Sequence, residues 1–161
     1  NQEAEVVDII RRFGVGFGAC HTEFVMTDSG PRLIEINYRS IGDYREFLLQ
    51  DTLGLSLFEI ILSLYAGEPL PQLDITPGAA LIRYFTAQSA GRLAGAPDAF
   101  DHHSDDIRIT FKPLRAIGES VNLTHSNKDY LGVLRGTGTD VQRLGMEMDR
   151  ISSGLAWTIG A

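Results

Sequence analysis

Two short apolar runs that carry acids at fixed places constrain this chain most. Residues 19–26 read Ala-Cys-His-Thr-Glu-Phe-Val-Met, and residues 32–37 read Arg-Leu-Ile-Glu-Ile-Asn. Between them Thr27-Asp28-Ser29-Gly30-Pro31 is dense in turn formers, so the pair predicts an antiparallel hairpin. Strand alternation then sets Leu33, Glu35 and Asn37 on one face, with Ile34 and Ile36 on the other. A carboxylate in such a run is costly to bury unless something pairs it. Glu23 on one strand, and Glu35 beside the Asn37 amide oxygen on the next, make a hard-oxygen set. Mg2+ takes few carboxylates, several waters and substrate phosphates, and this set suits it. Arg39 continues the same face and adds a planar fork for phosphate or carboxylate oxygens. The residues alone leave a second reading open, in which each Glu faces solvent or pairs with Arg32 or Arg45.

The surroundings of the hairpin read as mixed α and β. Val6, Ile9, Ile10 and Phe13 follow a helical stripe that Gly14 closes. That pattern begins almost at once, as it would in an excised piece. After the hairpin, residues 43–49 predict a short helix capped by Asp43. Ser56 and Glu59 form a capping box ahead of a stripe at Phe58, Ile61, Leu62 and Tyr65, which Gly67 and Pro69 end. Residues 69–78 read as a linker between a first segment, 1–68, and a small α+β lobe, 79–161. In that lobe residues 79–86, 107–111, 130–134 and 155–159 predict strands, and 101–106 a charged loop. A last helix follows a capping box at Thr139 and Gln142, with Val141, Leu144, Met148 and Ile151 on one face.

Composition excludes several classes of partner. A formal net charge of −7 argues against a phosphate-backbone partner, so no nucleic acid is expected. No apolar run approaches the ~18 residues a bilayer-crossing helix needs, so no membrane is expected either. The single cysteine, Cys20, excludes an intrachain disulfide and suits a reducing cytoplasm.

The stretch Gly18-Ala19-Cys20-His21-Thr22-Glu23-Phe24, followed by Gly30-Pro31-Arg32-Leu33-Ile34-Glu35-Ile36-Asn37-Tyr38-Arg39, resembles the metal-binding hairpin of ATP-grasp enzymes. The family pattern is a Glu, about a dozen residues, then Glu-x-Asn-x-Arg, and the biotin carboxylase and L-amino-acid ligase branches are the most similar. The resemblance implies an α+β fold: the antiparallel sheet of the ATP-grasp C-terminal region with packed helices, then a small C-terminal lobe. It implies a carboxylate–amine ligase that forms an acyl phosphate, with ATP and Mg2+ as cofactors and Mn2+ as a substitute. Glu23, Glu35 and Asn37 would hold the metal on the ATP phosphates, and Arg39 would be the catalytic residue steadying the transferring group. Tyr38 stands where the family commonly has Pro. The glycines at 14, 16 and 18 lead into a strand rather than opening a helix, so they form no dinucleotide fingerprint. The phosphate loop and adenine-contacting strand of such enzymes are missing, and the chain alone is expected to be inactive.

Partners implied are a small carboxylate, an amine and the N-terminal part of the same enzyme. Two rival readings are a split-gene subunit and a non-catalytic dimerisation module that extends a sheet through residues 107–111 and 130–134, as a homodimer would. His21 lies two residues from Glu23 and shares its face, as a supporting residue or a satisfied polar one. His102-His103 reads as a solvated pair or a transition-metal site. Arg83 reaches the acceptor pocket or covers a sheet edge, and Lys112 and Arg115 read as exposed charges.

Overall fold

The apolar stripe at the start does form a helix. In the computed structural model, which describes residues 2–72 and 78–160, α1 spans Gln2–Phe13. Strands β1 (His21–Thr27) and β2 (Gly30–Asn37) pair antiparallel as a hairpin whose turn is Asp28-Ser29. Helix α2 covers Arg45–Leu53 and α3 Leu57–Tyr65. Ser56 accepts a bond from the Glu59 backbone N–H, so the first capping box reads correctly. Asp43 does not cap α2. Both Asp43 and Tyr44 take left-handed backbone angles, Tyr44 holds the cap position, and no side chain caps the helix.

Contacts gather the chain into two compact units, residues 1–42 with 56–72 and residues 43–55 with the chain from 73 onward. The sequence ran its first segment through residue 68, whereas α2 packs with the second unit. Of the linker expected at 69–78, residues 73–77 lie outside the described residues.

The second unit holds a four-stranded antiparallel sheet and a three-stranded one. Strand β3 (Ala79–Thr86) pairs with β8 (Tyr130–Gly138), which pairs with β6 (Ile107–Pro113), which pairs with the edge strand β5 (Phe100–Ser104). The segment expected as a charged loop at 101–106 is therefore mostly strand. Its polar side chains belong at a sheet edge, where water replaces one neighbour. Lys112-Pro113 ends β6. The smaller sheet joins β4 (Gly91–Gly95), β7 (Ser120–Val121) and β9 (Thr158–Gly160), with β4 in the centre.

Helix α4 (Val141–Ser152) buries Leu144 and Met148 against Ile107, Ile109, Phe111 and Leu134 of the larger sheet. Its cap is Asp140, not Thr139: Asp140 accepts from the backbone N–H groups of Gln142 and Arg143, while Thr139 donates to Asp106. Asp140→Ala is expected to cost about 1 kcal/mol, read as a lower urea midpoint at unchanged slope.

Two carboxylates tie this unit together electrostatically. The Thr139 hydroxyl, then its backbone N–H, holds Asp106 down to about 2. Arg150, bound through two nitrogens at 3.0 and 2.6 Å, holds Glu147 down to about 2, with His102 Nε2 2.8 Å away adding to it. Their ordinary values are 3.8 and 4.5. A depressed folded pKa means that the folded state binds fewer protons. The stability these groups contribute is complete above their ordinary values and is lost as the pH falls toward about 2. Acid unfolding followed by circular dichroism is expected to lose its steepness in that window in the Asp106→Asn, Glu147→Gln double variant.

The first unit is built differently. Among its described residues only Pro31 is buried, and the two apolar clusters found among the described residues lie in the second unit. Phe13, Phe17, Ile34 and Leu62 are each at least 60% exposed. No single helix among the described residues is long and apolar enough to cross a membrane.

Candidate metal and phosphate site

The hairpin carries the candidate site, and an irregularity in its pairing decides which side chains meet. Glu23 stands opposite Glu35 and His21 opposite Asn37, but Phe24 is opposite Leu33, so Ile34 is left without a partner. Such a bulge inserts one extra residue into a strand and resets its alternation. Residues paired across a ladder share a face, so His21, Glu23, Glu35 and Asn37 lie together. Leu33 falls on the other face with Phe24 and Pro31. Strict alternation had put Leu33 beside Glu35; the bulge corrects that while leaving Glu35 and Asn37 on one side. Ile34, the extra residue, is 60% exposed.

On the shared face the donors converge. One ligand atom each from His21, Glu23 and Glu35 lie within 4.8 Å of one another. His21 Nε2 is 3.9 Å from Glu23 Oε1, and the Asn37 side-chain amide donates to Glu35 Oε1 at 2.7 Å. The imidazole is mostly buried, with 15% of its side chain exposed, whereas Glu23 keeps 53%. Like charges directly opposite across an antiparallel pair repel. No Lys or Arg relieves Glu23 or Glu35 among the described residues. Arg32 donates to the Ser29 hydroxyl, and Arg45 engages Tyr84, which raises the Arg45 pKa. The alternative pairing that the sequence left open is not formed.

Arg39 stands just beyond β2 and is turned onto its own loop. Its Nη1 donates to the carbonyls of Ser40 and Ile41 at 2.9 and 3.0 Å. Tyr38 accepts a bond from the Gly16 backbone N–H at 3.1 Å and so ties the glycine-rich lead-in to the end of the hairpin. Gly18 has φ +134, and a Cβ there would come within 2.6 Å of the Tyr65 hydroxyl, so the lead-in needs glycine at that point.

The remaining sequence candidates are held elsewhere. Arg83 bonds Asp149, Ser152 and the Met148 carbonyl, which fastens β3 to α4. His102 and His103 point to opposite faces of β5: His102 meets Glu147, and His103 lines a polar groove of about 260 Å³ with Asp101, Arg108 and Arg135. Lys112 lies over the Tyr44 ring, and Arg115 bonds the Lys128 carbonyl. Cys20 is a half-buried free thiol.

No family model matches the sequence, and no curated protein matches it. Solved structures do. Phosphoribosylglycinamide synthetase from Anaerococcus prevotii superposes with a TM-score of 0.79 at 16% identity, over 98% of this chain and 41% of its own. L-amino acid ligase from Bacillus licheniformis gives 0.72 at 16% identity, over 98% of this chain and 40% of its own. Biotin carboxylase from Campylobacter jejuni, in a β-γ-ATP complex, gives 0.72 at 16% identity, over 97% and 35%. The fold is ATP-grasp. The chain spans about two fifths of the length of the first two of these structures. The likeness is one of fold, and it covers both units.

Proposed function

We propose that this chain is the C-terminal part of an ATP-dependent carboxylate–amine ligase, in which Glu23 and Glu35 hold Mg2+ on the phosphates of ATP. The observation that carries the reading is the opposed pair Glu23–Glu35, set face to face with no Lys or Arg partner among the described residues. Two carboxylates so placed present the negative, oxygen-rich surface a hard cation needs. Asn37 holds Glu35 Oε1 in position through its side-chain amide. Arg39 exchanges its loop carbonyls for the oxygens of the transferring group, which its fork suits better. Bound Mg2+ supplies the charge neutralisation that lets a phosphoryl group pass to a substrate carboxylate, giving an acyl phosphate for an amine to attack. The fold supports this reading, because a biotin carboxylase that shares it was solved as a β-γ-ATP complex.

The exposed apolar side chains of the first unit favour a further element of the same reading. A unit with no buried apolar side chain beyond Pro31 gains little from folding alone. The N-terminal part of the enzyme is the partner that would cover Phe13, Phe17 and Leu62 and complete the nucleotide site. The chain alone is then inactive, and a cytoplasmic setting suits its free Cys20. The test is nucleotide turnover by the complete enzyme with a carboxylate and an amine: ADP release that requires Mg2+ is expected. Turnover indifferent to Mg2+ would contradict the reading.

Assembly through residues 107–111 and 130–134 is not a route the topology leaves open. Strands β6 and β8 are interior, with both sides paired, and the free edges belong to β3 and β5. A homodimer would use other surfaces; light scattering of the complete enzyme is expected to show one defined species.

A further inference from the structure

The sequence pattern accounts for two carboxylates and an amide at the metal face, but not for His21. Its place there is specific. The side chain is 15% exposed, its Nε2 faces Glu23, and its Nδ1 is buried without a hydrogen-bond partner. A buried ring nitrogen without a partner is costly unless the rest of the ring gains something. What the ring faces is the gap between two carboxylates that repel one another. With all three donor atoms within 4.8 Å, small side-chain rotations bring them to the spacing of ligands around one ion. The Asn37 amide, by contrast, offers its N–H₂ group to Glu35 in this arrangement and serves to hold that carboxylate.

We propose that His21 Nε2 is a direct metal ligand beside Glu23 and Glu35, with Asn37 as the positioning residue, and that this nitrogen donor tilts the site from Mg2+ toward Mn2+. The inference rests on the metal reading of the hairpin given above. Its chemistry is that of the donor set. Carboxylate and water ligands serve Mg2+ and Mn2+ alike, while imidazole favours transition metals over Mg2+. The ligand nitrogen must be unprotonated to bind.

The experiment is pulsed electron paramagnetic resonance of Mn2+ added to the complete enzyme without nucleotide at pH 8, with competition by Mg2+ on the same samples. The wild type is expected to show modulation from a directly coordinated ¹⁴N, and His21→Gln to lose it. Loss of an imidazole ligand is expected to weaken Mn2+ about tenfold or more, while Mg2+ changes by less than about twofold. His102→Gln, far from the hairpin in sequence, is expected to leave the signal intact, and circular dichroism confirms that each variant is folded. Bound Mn2+ without ¹⁴N modulation, or modulation that survives His21→Gln, overturns the proposal and leaves the carboxylate site standing. Failure of the wild type to bind Mn2+, with Glu35→Gln indistinguishable from it, overturns both together.

Discussion

Glu35→Gln in the complete enzyme is expected to lower Mg2+-dependent turnover by about 100-fold or more, the scale on which loss of one charge-stabilising group shows in kcat. The substitution keeps the size and the polar end of the side chain, and Asn37 still has an oxygen to donate to. It removes one of the two charges that face each other across β1 and β2. With that repulsion gone, the hairpin itself is expected to gain slightly in stability. Opposite signs for activity and stability separate a site residue from a structural one. The measurement is steady-state ADP release beside a thermal melt of the same preparation. A variant that loses activity only in step with its melting temperature would assign Glu35 to the fold instead.

Phe111→Ala is expected to have the largest effect on stability, about 3–5 kcal/mol. Phe111 is 1% exposed in the centre of β6 and lies within 6.0 Å, ring to ring, of Phe85, Phe100 and Trp157. It also fills the space above Gly132, where a Cβ would come within 2.7 Å of its ring. Truncation therefore opens a cavity that the interior strands on either side cannot close. Urea denaturation monitored at Trp157 reads the loss directly, since that ring is one wall of the cavity. A cost below about 1 kcal/mol would mean that the aromatic cluster is looser than the packing shows.

Much of the architecture was legible because it rested on strong local signals. The Thr27 to Pro31 turn announced the hairpin, Ser56 and Glu59 announced α3, and the alternation from Ile107 to Phe111 announced β6. The failures share a cause, which is that a long-range partner outbid the local preference. Thr139 looked like a helix cap, but Asp106 takes its hydroxyl and the cap passes to Asp140. Residues 101–104 looked like a loop because an edge strand has no need of an apolar exterior. Short strands at Gly91–Gly95 and Ser120–Val121 carry too few side chains to show a period. In the candidate site, the acids and the amide were visible from their spacing, yet the bulge at Ile34 was not, because an isoleucine in a β-branched run signals only strand. Spacing already set His21 on the face of Glu23; pairing across the hairpin, which spacing does not state, brings it level with Asn37.

If the opposed carboxylates serve phosphoryl transfer to a carboxylate substrate, the product of that step can be trapped. The complete enzyme, given its carboxylate, Mg2+ and ATP with hydroxylamine in place of the amine, is expected to form a hydroxamate together with ADP and inorganic phosphate in equal amounts. Glu35→Gln is expected to form neither. Hydroxamate that appears with AMP and pyrophosphate, or that persists undiminished in Glu35→Gln, would contradict the account.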